Sequence, residues 1–264
     1  MITMRRALFI LALAICCSAV AQQRMTILHT SDTHSCIEPE RDGGAGVLNR
    51  ALMLEALRDS LGNENVLLFD CGDFSQGSLY YNVFKGAFEI DAMNALGYDA
   101  GTLGNHEFDW GEEYIGENLE LADFPFLAIN IYDRATDTLA DYCTPSVTVE
   151  CGAATIGIIG AIGDCYSSIS GDKVENIYFK TGEELNSLIM AESDRLRADG
   201  ADFIILSIHD GSADLSLTKE HIDLVFEGHT HKNYVKTDKN GVYHLQGGGD
   251  NDGIVHVEAV INVA

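Results

Sequence analysis

Short apolar runs without polar interruption alternate with segments of helical spacing along most of the chain. Val66-Leu67-Leu68-Phe69 is one such run, and residues 203–208 form another. Residues 25–29, 126–129, 224–226, 242–245 and 254–261 repeat the pattern, and 147–149 with 155–159 read as two paired strands. Between them, residues 47–60 place Leu48, Leu52, Leu54 and Leu57 at helical intervals and stop at Gly62. Residues 88–96 end at Gly97, 112–122 form a further helix, and 181–198 open with Thr181 and Glu184 at capping-box spacing. A strand that is apolar on both faces must be covered on both faces, so the alternation predicts buried sheets flanked by helices, an α/β fold. Residues 22–264 contain no internal repeat, linker or composition break, and they read as one domain.

Residues 1–21 read differently. Arg5 and Arg6 precede an apolar run from Ala7 to Cys17, and Ala19-Val20-Ala21 gives a small-x-small cleavage pattern. This is the pattern of a secretory signal, with a buried first helix or strand as the alternative. It predicts a periplasmic or extracellular location after cleavage near Ala21. Cys16 and Cys17 raise lipid anchoring, although neither follows a small residue, and Arg5-Arg6 raises twin-arginine export. No later segment carries 18 consecutive apolar residues, so no transmembrane helix is expected.

Charge excludes some functions. The chain carries 41 Asp and Glu against 16 Lys and Arg, a net charge of −25, which is the wrong sign for tracking a nucleic-acid polymer. With 46% hydrophobic residues and only 3 Pro it is not a disordered chain. Beyond residue 21 the cysteines are Cys36, Cys71, Cys143, Cys151 and Cys165, an odd set with no CxxC. Cys143 and Cys151 are placed to bridge across a hairpin; the alternative is small buried thiols.

The polar residues concentrate where strands end. The first strand runs into Ser31-Asp32-Thr33-His34 and the second into Asp70-Cys71-Gly72-Asp73. Leu103-Gly104-Asn105-His106-Glu107-Phe108-Asp109 follows, then His209-Asp210-Gly211 after 203–208, and Glu227-Gly228-His229-Thr230-His231 after 224–226. Ligands of α/β sheets bind outside the carboxyl ends of strands, so five such ends can meet at one point. Asp, His and Asn without Cys suit borderline or hard divalent metals rather than a cysteine-rich structural zinc site. Asp32-x-His34 and His229-x-His231, if extended, each aim two side chains to one side. Taken singly, each motif is more often a turn or a solvated loop. In order, each after a strand, they point to a metal centre. Two ions roughly 3.5–4 Å apart would clamp a phosphoryl group, most simply bridged by Asp73.

Asp-x-His, Gly-Asp, Gly-Asn-His-Glu, a lone His and Gly-His-x-His are the five blocks of the calcineurin-like metallophosphoesterases, which this chain resembles from about residue 25 to 262. Gly72-Asp73-Phe74-Ser75-Gln76-Gly77-Ser78-Leu79-Tyr80, then Met93-Asn94-Ala95-Leu96-Gly97-Tyr98-Asp99, and then Thr102 to Gly111 are similar to the 5'-nucleotidase and UDP-sugar hydrolase branch. The resemblance implies a four-layer αββα sandwich of two mixed β-sheets flanked by helices, and two divalent ions (Zn, Mn, Fe or Co). One ion would be held by Asp32, His34, Asp73 and His231, and the other by Asp73, Asn105, His209 and His229. Asn105 and His106 would meet the substrate, with His106 beside the leaving oxygen and Asp109 orienting it. Glu107 would be structural.

The implied activity is secreted hydrolysis of nucleotide or other phosphate monoesters by metal-activated hydroxide attack. The same centre would serve a 2',3'-cyclic-nucleotide phosphodiesterase or a UDP-sugar pyrophosphohydrolase. A metal-loaded binding subunit without catalysis is the non-enzymatic alternative. Two departures from the branch stand out. The position three residues after Gly44, where the branch tends to have Arg, is Val47. The branch also continues into a second, nucleoside-binding domain, so the resemblance implies that such a domain would act in trans or that specificity is relaxed. His29, His221, His244 and His256 lie outside the five blocks and read as structural; Asp210, Gly211 and 246–250 read as rim loops.

Overall fold

A computed structural model describes residues 21–39, 46–212, 215–250 and 253–263. The signal-like segment 1–20 lies outside the described residues. In chain order the elements are β1 (Ala21–Thr30), α1 (Gly46–Leu61), β2 (Val66–Asp70), α2 (Leu79–Phe84), α3 (Ala87–Leu96), β3 (Ala100–Thr102) and α4 (Glu112–Leu119). Then follow β4 (Phe126–Leu127), β5 (Ile131–Asp133), β6 (Ser146–Cys151), β7 (Ala154–Ala161), β8 (Ile177–Phe179), α5 (Gly182–Ala198) and β9 (Phe203–Ile208). The last strands are β10 (Leu224–Glu227), β11 (Asn233–Thr237), β12 (Tyr243–Gly247) and β13 (Val255–Val263).

Two mixed sheets result. One has the order β13-β1-β2-β3-β4, antiparallel at β13 and otherwise parallel. The other has the order β11-β12-β10-β9-β7-β6, parallel at its centre and antiparallel at both edges. Strands β5 and β8 form a small separate pair.

Alternation along the strands creates the layers. Ile27, Leu67 and Phe69 from the first sheet meet Ile156, Ile158, Ile205 and Phe226 from the second, forming the core between the sheets. Their neighbours Leu28 and Leu68 face the other way, onto Leu54 of α1, Ile90, Met93 and Leu96 of α3, and Ile115 of α4. On the second sheet Ile159, Ile204 and Leu206 pack on Leu185, Ile189 and Leu196 of α5. The architecture is the four-layer αββα sandwich that the family resemblance implies, with each strand face covered by the other sheet or by helices.

Several local expectations are corrected. Cys143 and Cys151 are not bridged, and none of the cysteines from Cys36 to Cys165 is in a disulfide. The extended strand β6 separates the pair, and its five steps alone span roughly 16 Å, whereas a disulfide needs its Cα atoms within about 7 Å. The hairpin is made by β6 with β7, which sets Cys151 against Ala154. Thr181 caps α5 through its backbone, without a side-chain cap bond. The 112–122 helix stops at Leu119, and the 126–129 strand keeps two residues. Helix α2 and the β11 edge strand have no counterpart among the sequence expectations. Strand β11 is mostly exposed and carries no apolar period to read.

The aromatic contacts between the sheets set up a stability test. Phe226 is fully buried, stacks on His29 with centroids 4.6 Å apart, and meets Phe69 edge-on at 5.0 Å. Phe226→Ala is expected to cost about 3–5 kcal/mol, measured as the shift in urea-unfolding free energy.

Candidate metal centre

The loops that leave β1, β2, β3, β9 and β10 gather at one end of the sandwich. Main-chain bonds align the first two, with Asp32 N–H donating to the Gly72 carbonyl (2.9 Å), His34 N–H to Asp73 (3.0 Å) and Ser35 N–H to Phe74 (2.9 Å). Asp32 then reaches across to the second sheet, where its Oδ1 accepts the His229 N–H (2.7 Å). Asp73 Oδ1 accepts the His106 N–H (2.9 Å), joining the β2 and β3 loops. Gly228 N–H donates to the His209 carbonyl (3.0 Å), joining the β9 and β10 loops.

These loops are not extended. Asp32, His34, Asp73, His229 and His231 all have left-handed backbones, with φ of 51°, 43°, 55°, 66° and 52°. The expectation that each x-separated pair shares a side because its segment is extended is therefore wrong. The side chains converge because the chain turns tightly through each residue. Such conformations cost of order 1–3 kcal/mol apiece and persist where the surroundings hold them. Asp and His tolerate them better than bulkier residues.

Close approach demands glycine at two points. A Cβ on Gly104 would lie 2.2 Å from Asp73 Oδ1 and 2.6 Å from Asp73 N. One on Gly72, where φ is +92°, would lie 2.5 Å from Gly104 N. The Gly-Asp and Gly-Asn-His-Glu blocks are thus pressed backbone to backbone.

Three groups of side chains bring ligand atoms within 4.8 Å of one another: Asp32, His34 and His231; Asp73, His209 and His229; and His34, Asp73 and His106. His34 Nε2 lies 2.8 Å from His231 Nε2, so two imidazole lone-pair positions face a common point. His209 Nε2 is 2.9 Å from Asp73 Oδ2 and 3.8 Å from Asp32 Oδ1. His209 Nδ1 is 2.6 Å from the Cys71 carbonyl, which holds the proton on that nitrogen and turns Nε2 inward. Asn105 is buried beside this group, and its Oδ1 has no hydrogen-bond partner. Asp32 Oδ2 and His34 Nδ1 are likewise buried and unpartnered. Buried acceptors left unpaired are costly, and this donor set of carboxylate, amide oxygen and imidazole suits divalent cations of the Zn, Mn, Fe and Co type. The residues present therefore fit a metal centre.

Electrostatics agree. Burial opposes charge on His209, but Asp73 and Asp32 outweigh it and raise its pKa to about 10. Burial likewise opposes ionisation of Asp73, yet His209 and the His106 N–H hold it below the ordinary carboxylate range. Asp32 is raised, chiefly by burial. A proton on His209 offsets part of the carboxylate charge, and a divalent cation would take its place.

His106 and Asp109 pair at the margin, with Nδ1 3.0 Å from Oδ2. Burial lowers the His106 pKa, but the Asp109 hydrogen bond and the Asp73 charge prevail and raise it. The structure also gives definite contacts to three residues that the sequence reading left as structural or rim positions. Glu107 is a buried clamp whose carboxylate accepts the N–H of Asp73 (3.0 Å), Ser75 (3.2 Å) and Gly104 (2.7 Å), and the Ser75 hydroxyl (2.9 Å). Asp250 N–H donates to the Asp32 carbonyl (2.6 Å), which ties in the loop after β12. Asp210 Oδ2 lies 4.0 Å from His229 Nε2. No sequence periodicity marks these three; only Asp210, adjacent to His209, had a local cue. His29 is a core residue between Phe69 and Phe226, and burial, with the His209 charge, lowers its pKa to about 3. His244 is buried away from the three groups.

Residues 25–233 match the model of the calcineurin-like phosphoesterases. The chain belongs to that family. The calcineurin-like phosphoesterases use divalent metal ions, in keeping with the ligand clusters. Among curated relatives, the snake venom 5'-nucleotidase of Gloydius brevicauda is 32% identical over 229 residues, covering 80% of this chain and 38% of that protein. The chain therefore spans about two fifths of the length of such relatives. Among solved structures, the Haemophilus influenzae NAD nucleotidase superposes with a TM-score of 0.76 at 24% identity, over 90% of this chain and 47% of that one. A calcineurin-like phosphoesterase from Bacillus subtilis gives 0.74 at 24% identity, over 92% and 87%. These two likenesses establish the shared fold. No helix among the described residues is long and apolar enough to cross a membrane.

The clamp sets up the next test. Glu107→Ala would leave three backbone N–H groups without their acceptor, and it is expected to destabilise the chain by about 2–5 kcal/mol. Denaturant unfolding of the metal-free protein checks this.

Proposed function

We propose that the chain is a secreted phosphohydrolase of the 5'-nucleotidase type that removes phosphate from nucleotide monoesters with two bound divalent ions. The observation that carries this reading is the convergence of three ligand groups on Asp73 and His34, with the His106–Asp109 pair at their edge. One ion is assigned to Asp32, His34, Asp73 and His231, the other to Asp73, Asn105, His209 and His229, with Asp73 shared. The names of the curated relatives support the substrate class. The export reading rests on the 1–21 segment.

Divalent ions so held supply Lewis acidity toward phosphoryl oxygens and ionise water near neutral pH. The protein's part is positional. His106 keeps its Nδ1 proton toward Asp109, which leaves Nε2 to carry the proton that the departing ester oxygen needs. Asn105 presents an unpaired Oδ1, and its amide nitrogen can donate to a phosphoryl oxygen. Asp32 and Asp73 bring two negative charges against four positive ones, so the pocket attracts an anion although the whole chain carries −25.

The chain assayed with Mn²⁺, Co²⁺ or Zn²⁺ is expected to hydrolyse p-nitrophenyl phosphate and AMP. The bis ester and UDP-glucose are the arms that separate diesterase and pyrophosphohydrolase activities. Metal uptake without turnover of any of these would leave a binding subunit in place of an enzyme. Turnover of aryl phosphate alone would place nucleoside recognition outside these residues. His106→Asn is expected to lower kcat by about 10²–10⁴-fold, and an unchanged rate would remove His106 from the reaction.

The pH profile offers a separate test. His106 acts as an acid only while protonated, so kcat/KM should fall as pH rises through its elevated pKa. Asp109→Asn removes the main cause of that elevation and should move the alkaline limb to lower pH. A limb that stays in place would reject the pairing as functional.

A further inference from the structure

Strand β10 is apolar from Leu224 to Phe226 and then ends in a buried acid, Glu227. Burying a carboxylate is costly unless it is fully hydrogen-bonded, and an apolar residue would suit this strand better on stability alone. Its oxygens are satisfied from three directions. The Ser212 hydroxyl donates to Oε1. The Tyr234 hydroxyl donates to Oε2 at 2.8 Å, and Lys236 Nζ lies 3.3 Å from the same oxygen. His244 Nδ1 sits 3.5 Å from Oε1 and 3.2 Å from the Ser212 oxygen.

The chain positions of these partners give the cluster its meaning. Ser212 follows His209 by three residues on the loop leaving β9. Glu227 precedes His229 by two residues on the loop leaving β10. Tyr234 and Lys236 lie on β11, just beyond His231. Glu227 therefore spans two ligand loops and closes the 228–232 turn onto the strand that follows it. None of these partners belongs to the three ligand groups.

We propose that Glu227 is a positioning residue for the metal centre: by fastening the 209–212 loop to the 227–231 loop it sets His209 and His229 around the cation they share with Asp73. The inference rests on the two-metal reading above and adds the element that holds one half of it in register. The other half depends more on Asp32 and His34, which hang from the first sheet and are aligned by the β2 loop, and draws only His231 from the fastened loop. Loss of Glu227 should thus affect the two ions unequally. Groups that orient ligands from outside typically change metal affinity or activity by 10–100-fold.

The test is stepwise Co²⁺ binding by calorimetry and visible absorption. The full chain is compared as wild type, Glu227→Ala, Glu227→Gln and Ser212→Ala, with metal-free thermal unfolding recorded alongside. Glu227→Ala is expected to weaken one of the two Co²⁺ equivalents by about 10–100-fold and leave the other near its wild-type affinity. Its kcat on p-nitrophenyl phosphate should fall while KM changes less than about 3-fold, since the lost interaction acts on the transition state. Ser212→Ala should shift the same equivalent in the same direction by a smaller factor, and it carries the test if Glu227→Ala does not fold. Glu227→Gln, which keeps an acceptor for Ser212 and Tyr234, should recover most of the affinity. Wild-type binding of both equivalents in Glu227→Ala or Ser212→Ala would overturn the proposal, whatever the melting temperature does, because that outcome marks a core residue. Equal weakening of both equivalents would overturn it as well. A wild-type chain that takes up fewer than two equivalents would overturn the two-metal reading and this inference together.

Discussion

Asp32 and Asp73 are both buried within one small space, and most of the local structure follows from having to keep them there. Two carboxylates in a poorly solvated pocket repel each other and lose hydration. In the metal-free chain His209 compensates by holding a proton to about pH 10. That proton is a placeholder: the nitrogen that carries it is the one aimed at the candidate ligands. A cation held by these side chains would relieve the repulsion directly.

The same demand accounts for the backbone. Side chains from five loops meet partly because the chain turns sharply at the ends of β1, β2 and β10, where Asp32, His34, Asp73, His229 and His231 sit at positive φ. Turns of that kind need support. Glu107 supplies it from the first sheet by collecting three backbone N–H groups into one carboxylate. Glu227 occupies the corresponding place on the second sheet, although it works through side chains rather than through the main chain. Each sheet thus carries its own buried acid behind its own ligand loops, while Asp32 Oδ1 and the His229 N–H join the two halves. Strain in the loops is tolerable because the sandwich beneath them is closely packed.

How far the sequence could be read depended on the range of the forces involved. The sandwich was legible because burial on two faces leaves a local mark: Ile27 faces the other sheet while Leu28 faces the helices, and both must be apolar. The ligand candidates were legible because each lies beside a strand end. Their geometry was not, since the period-2 rule that applied up to Thr30 fails once φ turns positive at Asp32. Short or exposed elements such as α2 and β11 escaped because tertiary pairing rather than local pattern holds them. Ser212 and Glu227 are fifteen residues apart on different strands, so nothing periodic links them. The one local signal was an acid closing an apolar run, which reads equally well as an ordinary strand end.

The acidic composition now has a physical place. A net charge of −25 would repel a phosphate ester from any uncharged pocket on this surface. On the proposed reading the attraction is short-ranged and local, and divalent ions held beside Asp32 and Asp73 would supply it. At about 0.15 M salt the surface charges are screened beyond about 8 Å, whereas ions held in the pocket would act on a phosphate ester at contact distance. Recognition of the phosphoryl group is thereby separated from the charge of the rest of the molecule. The chain could then stay acidic while an anion is drawn to the cation that Asp73, His209 and His229 would hold.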